Sequence, residues 1–278
     1  MRRVAATALI LFLAACSGDE DVAVDPNKIP PLSGKEQSLL ITADNDVRQG
    51  NLEAAERDYL SAVGASKGRV EAHLGLAQLY NRTKQPAKAR EILEMAQKFQ
   101  PNNPGVNYLL GKSDLNAGNY KAALDAFSRG LTQAPDDLDL SNGAGVAHDM
   151  LGEHRAAQAI YTPAISRNKG KNLSAIRTNL AMSYLLTNEP KKALPILQAE
   201  AKKPEASLTT RHDLALAYGL LGNNTAARAA LKGDGDEPTR VATLARLKEY
   251  LADTNPNKKP PQLTPAVKAA PVDTVEEN

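Results

Sequence analysis

Tryptophan is absent from this chain of 278 residues, and aromatic residues of all kinds make up only 4% of it. A single globular core of this length usually contains more large rings, whereas alanine-rich helices that pack in pairs need fewer of them. The scarcity of aromatic side chains therefore favours an all-α fold built from packed helix pairs over one compact core.

The chain also lacks the residues from which common active sites are built. Its single cysteine, Cys16, excludes an internal disulfide, and no glycine-rich phosphate-binding loop is present. No apolar run reaches the roughly 18 residues that a membrane-spanning helix requires. The carboxylates are dispersed along the chain, which is typical of solvated helix faces. We therefore expect no enzyme activity, no cofactor and no small-molecule substrate.

The chain also lacks any large excess of basic over acidic residues. The sequence has 34 lysines and arginines against 32 aspartates and glutamates. Arg2 and Arg3 belong to a segment that is predicted to be removed, which leaves the mature chain with equal numbers of bases and acids. This balance gives no reason to expect binding to nucleic acid or electrostatic attachment to a membrane.

Residues 1–15 have the composition of a secretory signal peptide. Two arginines precede an almost wholly apolar stretch, Val4–Leu13, and two alanines follow it. A basic start, a short apolar stretch and small residues before a cleavage site are typical of exported bacterial proteins. We therefore predict that residues 1–15 are removed.

The segment Leu13-Ala14-Ala15-Cys16 resembles the lipobox of bacterial lipoproteins. This resemblance implies a diacylglycerol thioether on Cys16, cleavage before it and acylation of the new amino group, and two or more acyl chains give a stable anchor. Serine rather than aspartate at position 17 implies the outer membrane, with the protein facing the periplasm. An ordinary soluble signal peptide followed by a chance cysteine is the alternative. Residues 16–35, polar and acidic, are predicted to be a flexible tether.

The body of the chain repeats with a period of 34 residues. The alanines that define the period are Ala55, Ala89, Ala123, Ala157, Ala193 and Ala227, with two extra residues before the fifth. Four residues after each comes a large apolar residue, at Tyr59, Leu93, Phe127, Tyr161, Leu197 and Leu231. Twelve residues before each comes a small one, at Ala43, Ala77, Gly111, Gly145, Ala181 and Ala215. Five residues before each comes a turn position, at Gly50, Lys84, Gly118, Gly152, Asn188 and Gly222.

This pattern resembles the tetratricopeptide repeat (TPR) family over roughly residues 36–241. The resemblance implies six antiparallel helix pairs, stacked into a right-handed superhelical solenoid. The pairs are expected at about 36–69, 70–103, 104–137, 138–171, 174–207 and 208–241. A helical bundle without repeats is the alternative. Residues 239–251 place apolar side chains on one face and are predicted to cap the array, and residues 252–278 are predicted to be a disordered, proline-rich tail.

Two histidines near one predicted turn raise the possibility of a metal site. His148 and His154 have Asp149 and Glu153 as neighbours. Their spacing matches no pair on one helix face, such as i and i+4, and a third ligand is not evident. Polar residues beside a turn are the alternative that we favour, so we predict no metal.

In TPR arrays, partners bind in a groove lined by the first helix of each pair. In the first repeats this register gives a polar groove, which consists of Gln37, Asp44, Arg48, Glu71, Gln78, Arg82, Tyr108 and Lys112. Of these residues, the predicted site includes Tyr108 from the third repeat. In the later repeats the register gives an apolar groove, consisting of Val146, Met150, Met182, Leu185, Leu186, Leu216 and Leu220. An apolar surface of this kind often marks a binding site. Coverage by the capping helix, by the tail or by tight closure of the superhelix is the alternative.

Three segments resemble the TadD family of the tight-adherence (Flp) pilus system. They are residues 142–152 (NGAGVAHDMLG), 179–188 (NLAMSYLLTN) and 211–222 (RHDLALAYGLLG). The resemblance implies an outer-membrane lipoprotein that binds the secretin or other pilus components and supports secretin stability or placement. An adaptor that presents substrates to a periplasmic protease or cell-wall hydrolase is the second hypothesis, since a scaffold does not fix the partner.

Overall fold

The computed structural model of the protein describes residues 31–66, 69–170 and 172–232, together with Ala245 and Glu249. Several predicted features lie outside these residues. They are the signal peptide (1–15), Cys16, most of the tether (16–35), the capping helix (239–251, apart from the two residues named) and the tail (252–278).

Within the described residues the chain forms twelve helices and no strand, which confirms the predicted all-α fold of helix pairs. The first six helices are α1 (Gly34–Gln49), α2 (Leu52–Ala65), α3 (Glu71–Arg82), α4 (Pro86–Phe99), α5 (Pro104–Ala117) and α6 (Tyr120–Gln133). The other six are α7 (Leu138–Met150), α8 (His154–Arg167), α9 (Ser174–Leu186), α10 (Pro190–Ala201), α11 (Leu208–Leu220) and α12 (Asn224–Ala230). None of them is long and apolar enough to cross a membrane.

Each helix pair is joined by a tight turn whose central residue has a positive φ angle. All six turn positions of the repeat have this left-handed conformation. Four are glycine, which adopts it without a steric penalty, whereas Lys84 (φ 60°) and Asn188 (φ 56°) adopt it with a side chain. Proline begins α4 at Pro86 and α10 at Pro190, where the missing amide hydrogen removes no helical bond.

The repeated small and large residues form the contacts between the helices. The six large residues are at most 4% exposed, and the small residues are buried as well. Glycine occupies the places where aromatic rings approach the backbone. A Cβ atom on Gly143 would lie 2.5 Å from the Phe127 ring, and one on Gly145 would lie 2.2 Å from the Tyr161 ring. The ring of the large residue therefore occupies the space left by the missing side chain.

The chain divides into two compact units, one ending at Asn107 and the other beginning at Tyr108. The sequence predicted one continuous array. In the first unit, Glu36 and Arg69 form a buried ion pair between α1 and the segment before α3. Burial opposes ionisation of Glu36, but hydrogen bonds from Arg69 and Ser33 outweigh it and lower its pKa.

Packing in the fifth repeat departs from the pattern at one buried carboxylate. Glu200 stands where four earlier repeats have alanine or glycine, and it is 3% exposed. Its carboxylate lies 2.6 Å from Lys203 Nζ and 3.4 Å from Arg177 Nη1. Burial raises its pKa, but the hydrogen bonds from Lys203, Ser174 and Arg177 outweigh this effect and the pKa is lowered. The packing here is therefore rearranged around an ion pair. The corresponding Asp234 of the sixth repeat lies outside the described residues.

Candidate functional site

Five apolar side chains on the first helices of the last three repeats lie half-buried in the second unit. Val146 and Met150 are four residues apart on α7, Met182 and Leu186 are four apart on α9, and Leu220 lies on α11. A spacing of four places residues on the same helix face. Helix α7 contacts α9, and α9 contacts α11. We refer to these five residues as the apolar stripe.

Two of the residues predicted for the groove belong to the core instead. Leu185 is 1% exposed and Leu216 is 2% exposed, and both pack with Ala193 and Leu197. Leu185 directly precedes Leu186, and one residue corresponds to about 100° of rotation around a helix, so it points toward α10 rather than along the stripe. The surface available to a partner is therefore smaller than the sequence predicted.

Tyr108 lies against a different part of the second unit. Its ring centroid is 6.4 Å from that of Phe127, and Lys112 Nζ lies 5.8 Å from the Tyr108 ring centroid. Burial, with the nearby Asp139 and Asp137 carboxylates, raises the pKa of the Tyr108 hydroxyl. Tyr108 thus packs against the core cluster around Phe127, and its binding role stays a prediction.

The first unit presents polar residues at the predicted groove positions. Gln37, Asp44, Arg48, Glu71, Gln78 and Arg82 are all exposed. Tyr59 donates a hydrogen bond to Asp44, and burial followed by this contact raises the pKa of the Tyr59 hydroxyl. At these six positions the surface is polar and mixed in charge.

A carboxylate at the end of α7 holds together two of the three helices that carry the stripe, α7 and α9. Asp149 accepts hydrogen bonds from the Tyr161 hydroxyl (3.0 Å) and the Ser183 hydroxyl (2.8 Å) and lies 2.9 Å from His154 Nδ1. These groups belong to α7, α8 and α9. Because Asp149 and Ser183 directly adjoin Met150 and Met182, the network fixes the relative position of two stripe residues. No pattern in the sequence indicates this network.

A pair of asparagine side chains lies at the start of the stripe, and the sequence prediction did not include it. Asn179 Nδ2 of α9 donates to Asn142 Oδ1 of α7 at 2.8 Å, and both side chains are half-buried. Asn142 precedes Val146 by four residues, and Asn179 precedes Met182 by three. The spacing, read together with the apolar pattern, is the signal that places these amides on the same face as the stripe.

The two histidines each pair with a carboxylate across the α7–α8 turn. His148 Nδ1 lies 2.6 Å from Glu153, and His154 Nδ1 lies 2.9 Å from Asp149. Within the described residues, no group of three or more histidine, cysteine, aspartate or glutamate side chains is placed to hold a metal ion. The arrangement therefore consists of two separate pairs that close a turn.

Two curated relatives share sequence with this chain. Cellulose synthase operon protein C of Xanthomonas axonopodis pv. citri is 27% identical over 178 residues, which cover 60% of this chain and 12% of that protein. Tetratricopeptide repeat protein 21B of Xenopus laevis is 26% identical over 191 residues, which cover 66% of this chain and 14% of that protein. The chain therefore spans only about an eighth of the length of the curated relatives that it matches.

Solved structures share the fold. The structure reported in the functional characterization of Pseudomonas aeruginosa PilF has a TM-score of 0.63 at 14% identity, covering 77% of this chain and 97% of that one. Cut9–Hcn1, a hetero-tetramer of APC/C, gives a TM-score of 0.60 at 16% identity, covering 76% of this chain and 42% of that one. At these identities the likeness concerns the fold alone.

Two parts of the sequence match families described as tetratricopeptide repeat, residues 46–113 and residues 108–161. The matched residues include helices from both units, and the same 34-residue period continues beyond them to Leu231. Together with the paired helices and the left-handed turns, these matches show that residues 46–161 contain tetratricopeptide repeats.

Proposed function

We propose that this protein is a lipid-anchored scaffold on the periplasmic face of the outer membrane that binds polypeptide partners during Tad/Flp pilus assembly. The observation that carries the proposal is the apolar stripe on adjacent helices of the second unit. The three segments that resemble the TadD family contain all five stripe residues. Val146 and Met150 lie in the first segment, Met182 and Leu186 in the second, and Leu220 in the third. The expected partner is the secretin or another pilus component.

The stripe has the chemistry of a surface that accepts a polypeptide. A partner that covered the exposed parts of five half-buried apolar side chains would gain on the order of 5 kcal/mol from their burial. Met150 and Met182 have flexible, polarisable side chains that adapt to irregular ligand shapes. These apolar side chains offer no feature that selects a nucleic acid or a small molecule. We therefore propose a binding role without catalysis.

The anchor part of the proposal rests on Cys16 and the serine after it. Arg69 Nη1 donates a hydrogen bond to the Pro31 carbonyl at 2.8 Å, so the chain is held against the first unit from Pro31 onward. The tether between Cys16 and Pro31 would then reach at most about 50 Å when extended. Substitution of Cys16 by alanine is expected to move the protein from the membrane fraction to the soluble periplasmic fraction. Retention of the Cys16→Ala variant in the membrane fraction would contradict the lipid anchor.

Gene deletion with complementation tests the pilus role. The deletion strain should lose surface pili and contain less secretin multimer, and the wild-type gene should restore both. Met182→Lys should restore neither, because a charge at the centre of the stripe would have to be buried by the partner. Ala199→Lys, which adds the same charge to an exposed position of α10, is the control and should complement fully. Normal piliation and secretin levels in the deletion strain would contradict the proposal.

Affinity capture after cross-linking separates this function from the second hypothesis. Recovery of the secretin or pilus components supports the pilus role. Recovery of a periplasmic protease or a cell-wall hydrolase with its substrate, and no pilus component, supports the adaptor role instead. The same Met182→Lys variant, compared with Ala199→Lys, shows whether either partner depends on the apolar stripe.

A further inference from the structure

A histidine in the first unit is buried without a hydrogen-bond partner. His73 lies on α3, and its side chain is 0% exposed. Neither of its ring nitrogens, Nδ1 and Nε2, makes a hydrogen bond of normal geometry to any of the described residues. Buried polar groups in native proteins are nearly always hydrogen-bonded, so this exception requires a physical reason.

The next repeat shows that the fold does not need a titratable group at this position. Asn107 stands 34 residues after His73 and is also 0% exposed. Its Nδ2 donates hydrogen bonds to the carbonyl oxygens of Pro101 (2.7 Å) and Asn103 (3.0 Å). Asn103 in turn stands 34 residues after Arg69. An uncharged amide therefore holds the loop before the helix in the third repeat, and an imidazole replaces it in the second.

His73 follows, by four residues, the side chain that fastens the tether to the first unit. Arg69 Nη1 donates a hydrogen bond to the Pro31 carbonyl at 2.8 Å, and the Arg69 guanidinium also forms the buried ion pair with Glu36 of α1. The main chain of Arg69 lies next to the His73 ring. We refer to Arg69, Glu36 and the Pro31 carbonyl as the latch.

The environment of His73 disfavours a positive charge on the ring. Burial lowers the pKa of His73, and this effect outweighs the Arg69 main chain and the Glu71 carboxylate, both of which raise it. A protonated ring would also be a second buried cation beside the Arg69 guanidinium, which is itself in a residue only 5% exposed. A buried charge without a partner is strongly unfavourable.

The neighbouring helices do not supply a partner for that charge. Helix α4 presents the uncharged ring of Phe99, whose centroid is 5.8 Å from that of His73. The Glu36 carboxylate of α1 is already engaged by Arg69. Ala62 of α2 and Ser66 at its C-terminal end border the latch, and neither carries a charge. To accept a proton, the imidazole must therefore leave its buried position.

We propose that His73 is an acid-triggered release for the latch, which frees the tether from the first unit when the surroundings become acidic. A ring that moves toward solvent displaces the adjoining Arg69 segment, and Arg69 then no longer holds Glu36 and the Pro31 carbonyl. This response to acid goes beyond the proposed function, and it requires neither the apolar stripe nor any particular partner. It adds a pH-dependent junction between the tether and the body.

The direction of the pH dependence follows from proton binding. A histidine in water titrates near pH 6.5. The closed latch binds fewer protons at His73 than the open one, so opening is suppressed above this pH and becomes more favourable as the pH falls below it. The equilibrium constant for opening should increase about tenfold for each pH unit below 6.5, or about 30-fold between pH 7.5 and pH 5.0.

Hydrogen exchange read by mass spectrometry on the purified full-length protein tests this inference. After correction for the intrinsic exchange rates, peptides that cover residues 31–37 and 69–75 should show about 30-fold more opening at pH 5.0 than at pH 7.5. Peptides from the middle of α2 and α4, and from α9 in the second unit, should keep their protection. A release confined to the latch predicts this contrast.

Two variants assign the response to the imidazole. His73→Asn introduces the residue of the next repeat, and it should remove the pH dependence between pH 7.5 and pH 5.0 while the latch stays closed. His73→Gln provides a longer uncharged amide and should give the same result if the shorter side chain does not fold. His212→Asn changes a half-buried histidine of α11 and is the control, which should respond as the wild type does.

Three results would overturn the inference. Equal loss of protection throughout α1–α4 at pH 5.0 would show that acid unfolds the first unit as a whole and does not release a latch. Protection of residues 31–37 that does not change with pH would show that the latch stays closed. A full pH response in both uncharged variants would show that a group other than His73 takes up the proton. None of these results affects binding at the apolar stripe, so the proposed function is tested separately.

Discussion

Replacement of Gly143 by alanine tests the packing rule that the repeats follow. A Cβ atom added to Gly143 would lie 2.5 Å from both Cε1 and Cζ of Phe127. Carbon atoms in normal contact are about 3.5–4.0 Å apart, so the overlap is roughly 1 Å. The ring cannot move away freely, because Phe127 is 1% exposed and the same ring atoms also lie against Gly111, where a Cβ would be 2.7 Å from Cε1.

The expected change in the free energy of unfolding follows from two opposing effects. Overpacking of a filled core costs about 1–3 kcal/mol. Alanine is a better helix former than glycine by up to about 1 kcal/mol, which offsets part of this cost. Gly143→Ala should therefore lower the free energy of unfolding by about 1–2 kcal/mol. The measurement is urea denaturation followed by circular dichroism.

Two further variants make this result specific. Gly64 lies in α2, and a Cβ atom added to it would have nothing within 4 Å, so Gly64→Ala should stabilise the protein by about 0.5 kcal/mol. Phe127→Leu introduces the residue found at the same place in three other repeats, and with Gly143→Ala it should cost about 1 kcal/mol less than the two single changes added together. If Gly143→Ala stabilises the protein as Gly64→Ala does, the packing rule is wrong.

Three other predictions concern charges and turns. Glu36→Ala should lower the free energy of unfolding by about 3–5 kcal/mol because it leaves the buried Arg69 guanidinium without the Glu36 carboxylate. Glu94 forms an exposed ion pair with Arg90 on α4, so Glu94→Ala should change the free energy of unfolding by less than about 1 kcal/mol. Lys84→Gly should raise it by about 0.5–1 kcal/mol, since a non-glycine residue is strained at φ 60°. Burial raises the pKa of Asp213 from 3.8 to about 8, so the folded state binds more protons than the unfolded state between these values, and stability falls as pH rises through this range. Asp213→Asn should therefore raise the melting temperature more at pH 8 than at pH 5.

Each of these predictions has a result that would oppose it. Equal losses for Glu36→Ala and Glu94→Ala would show that the buried pair contributes no more than an exposed one. Lys98 is exposed within α4, so Lys98→Gly should destabilise by about 0.5–1 kcal/mol, and a loss of the same sign for Lys84→Gly would refute the strained turn. A pH-independent difference between Asp213→Asn and the wild type would show that the carboxyl group has no raised pKa.

The repeat and its turns could be predicted from the sequence because they depend on local spacing. Counting five residues back from the alanine of each repeat predicts six turn positions, and all six have a positive φ angle. Lys84 and Asn188 are among them, although neither is a glycine. The alanine series similarly identified Tyr161 and Leu197 as core residues, and both are fully buried. The repeat period and the size of the side chains are enough to predict the turns and these core residues, because neither depends on contacts between residues far apart in sequence.

The candidate site was predicted less completely, because its details depend on how neighbouring helices cross. Leu185 and Leu186 are adjacent in sequence, yet one is core and the other is half-buried. The network of Asp149 joins residues that are 5, 12 and 34 positions apart, and the bond between Asn142 and Asn179 spans 37 positions. A single sequence shows the polar residue types but not which of them meet.

Site-specific photo-cross-linking in cells tests the central claim, that the apolar stripe holds another polypeptide. A photoreactive amino acid is introduced at Met182, and at the exposed Ala199 of the same repeat as the control. Irradiation should join a discrete partner protein to position 182 and leave position 199 unlinked. Absence of a polypeptide adduct at position 182, or equal adducts at both positions, would contradict the account.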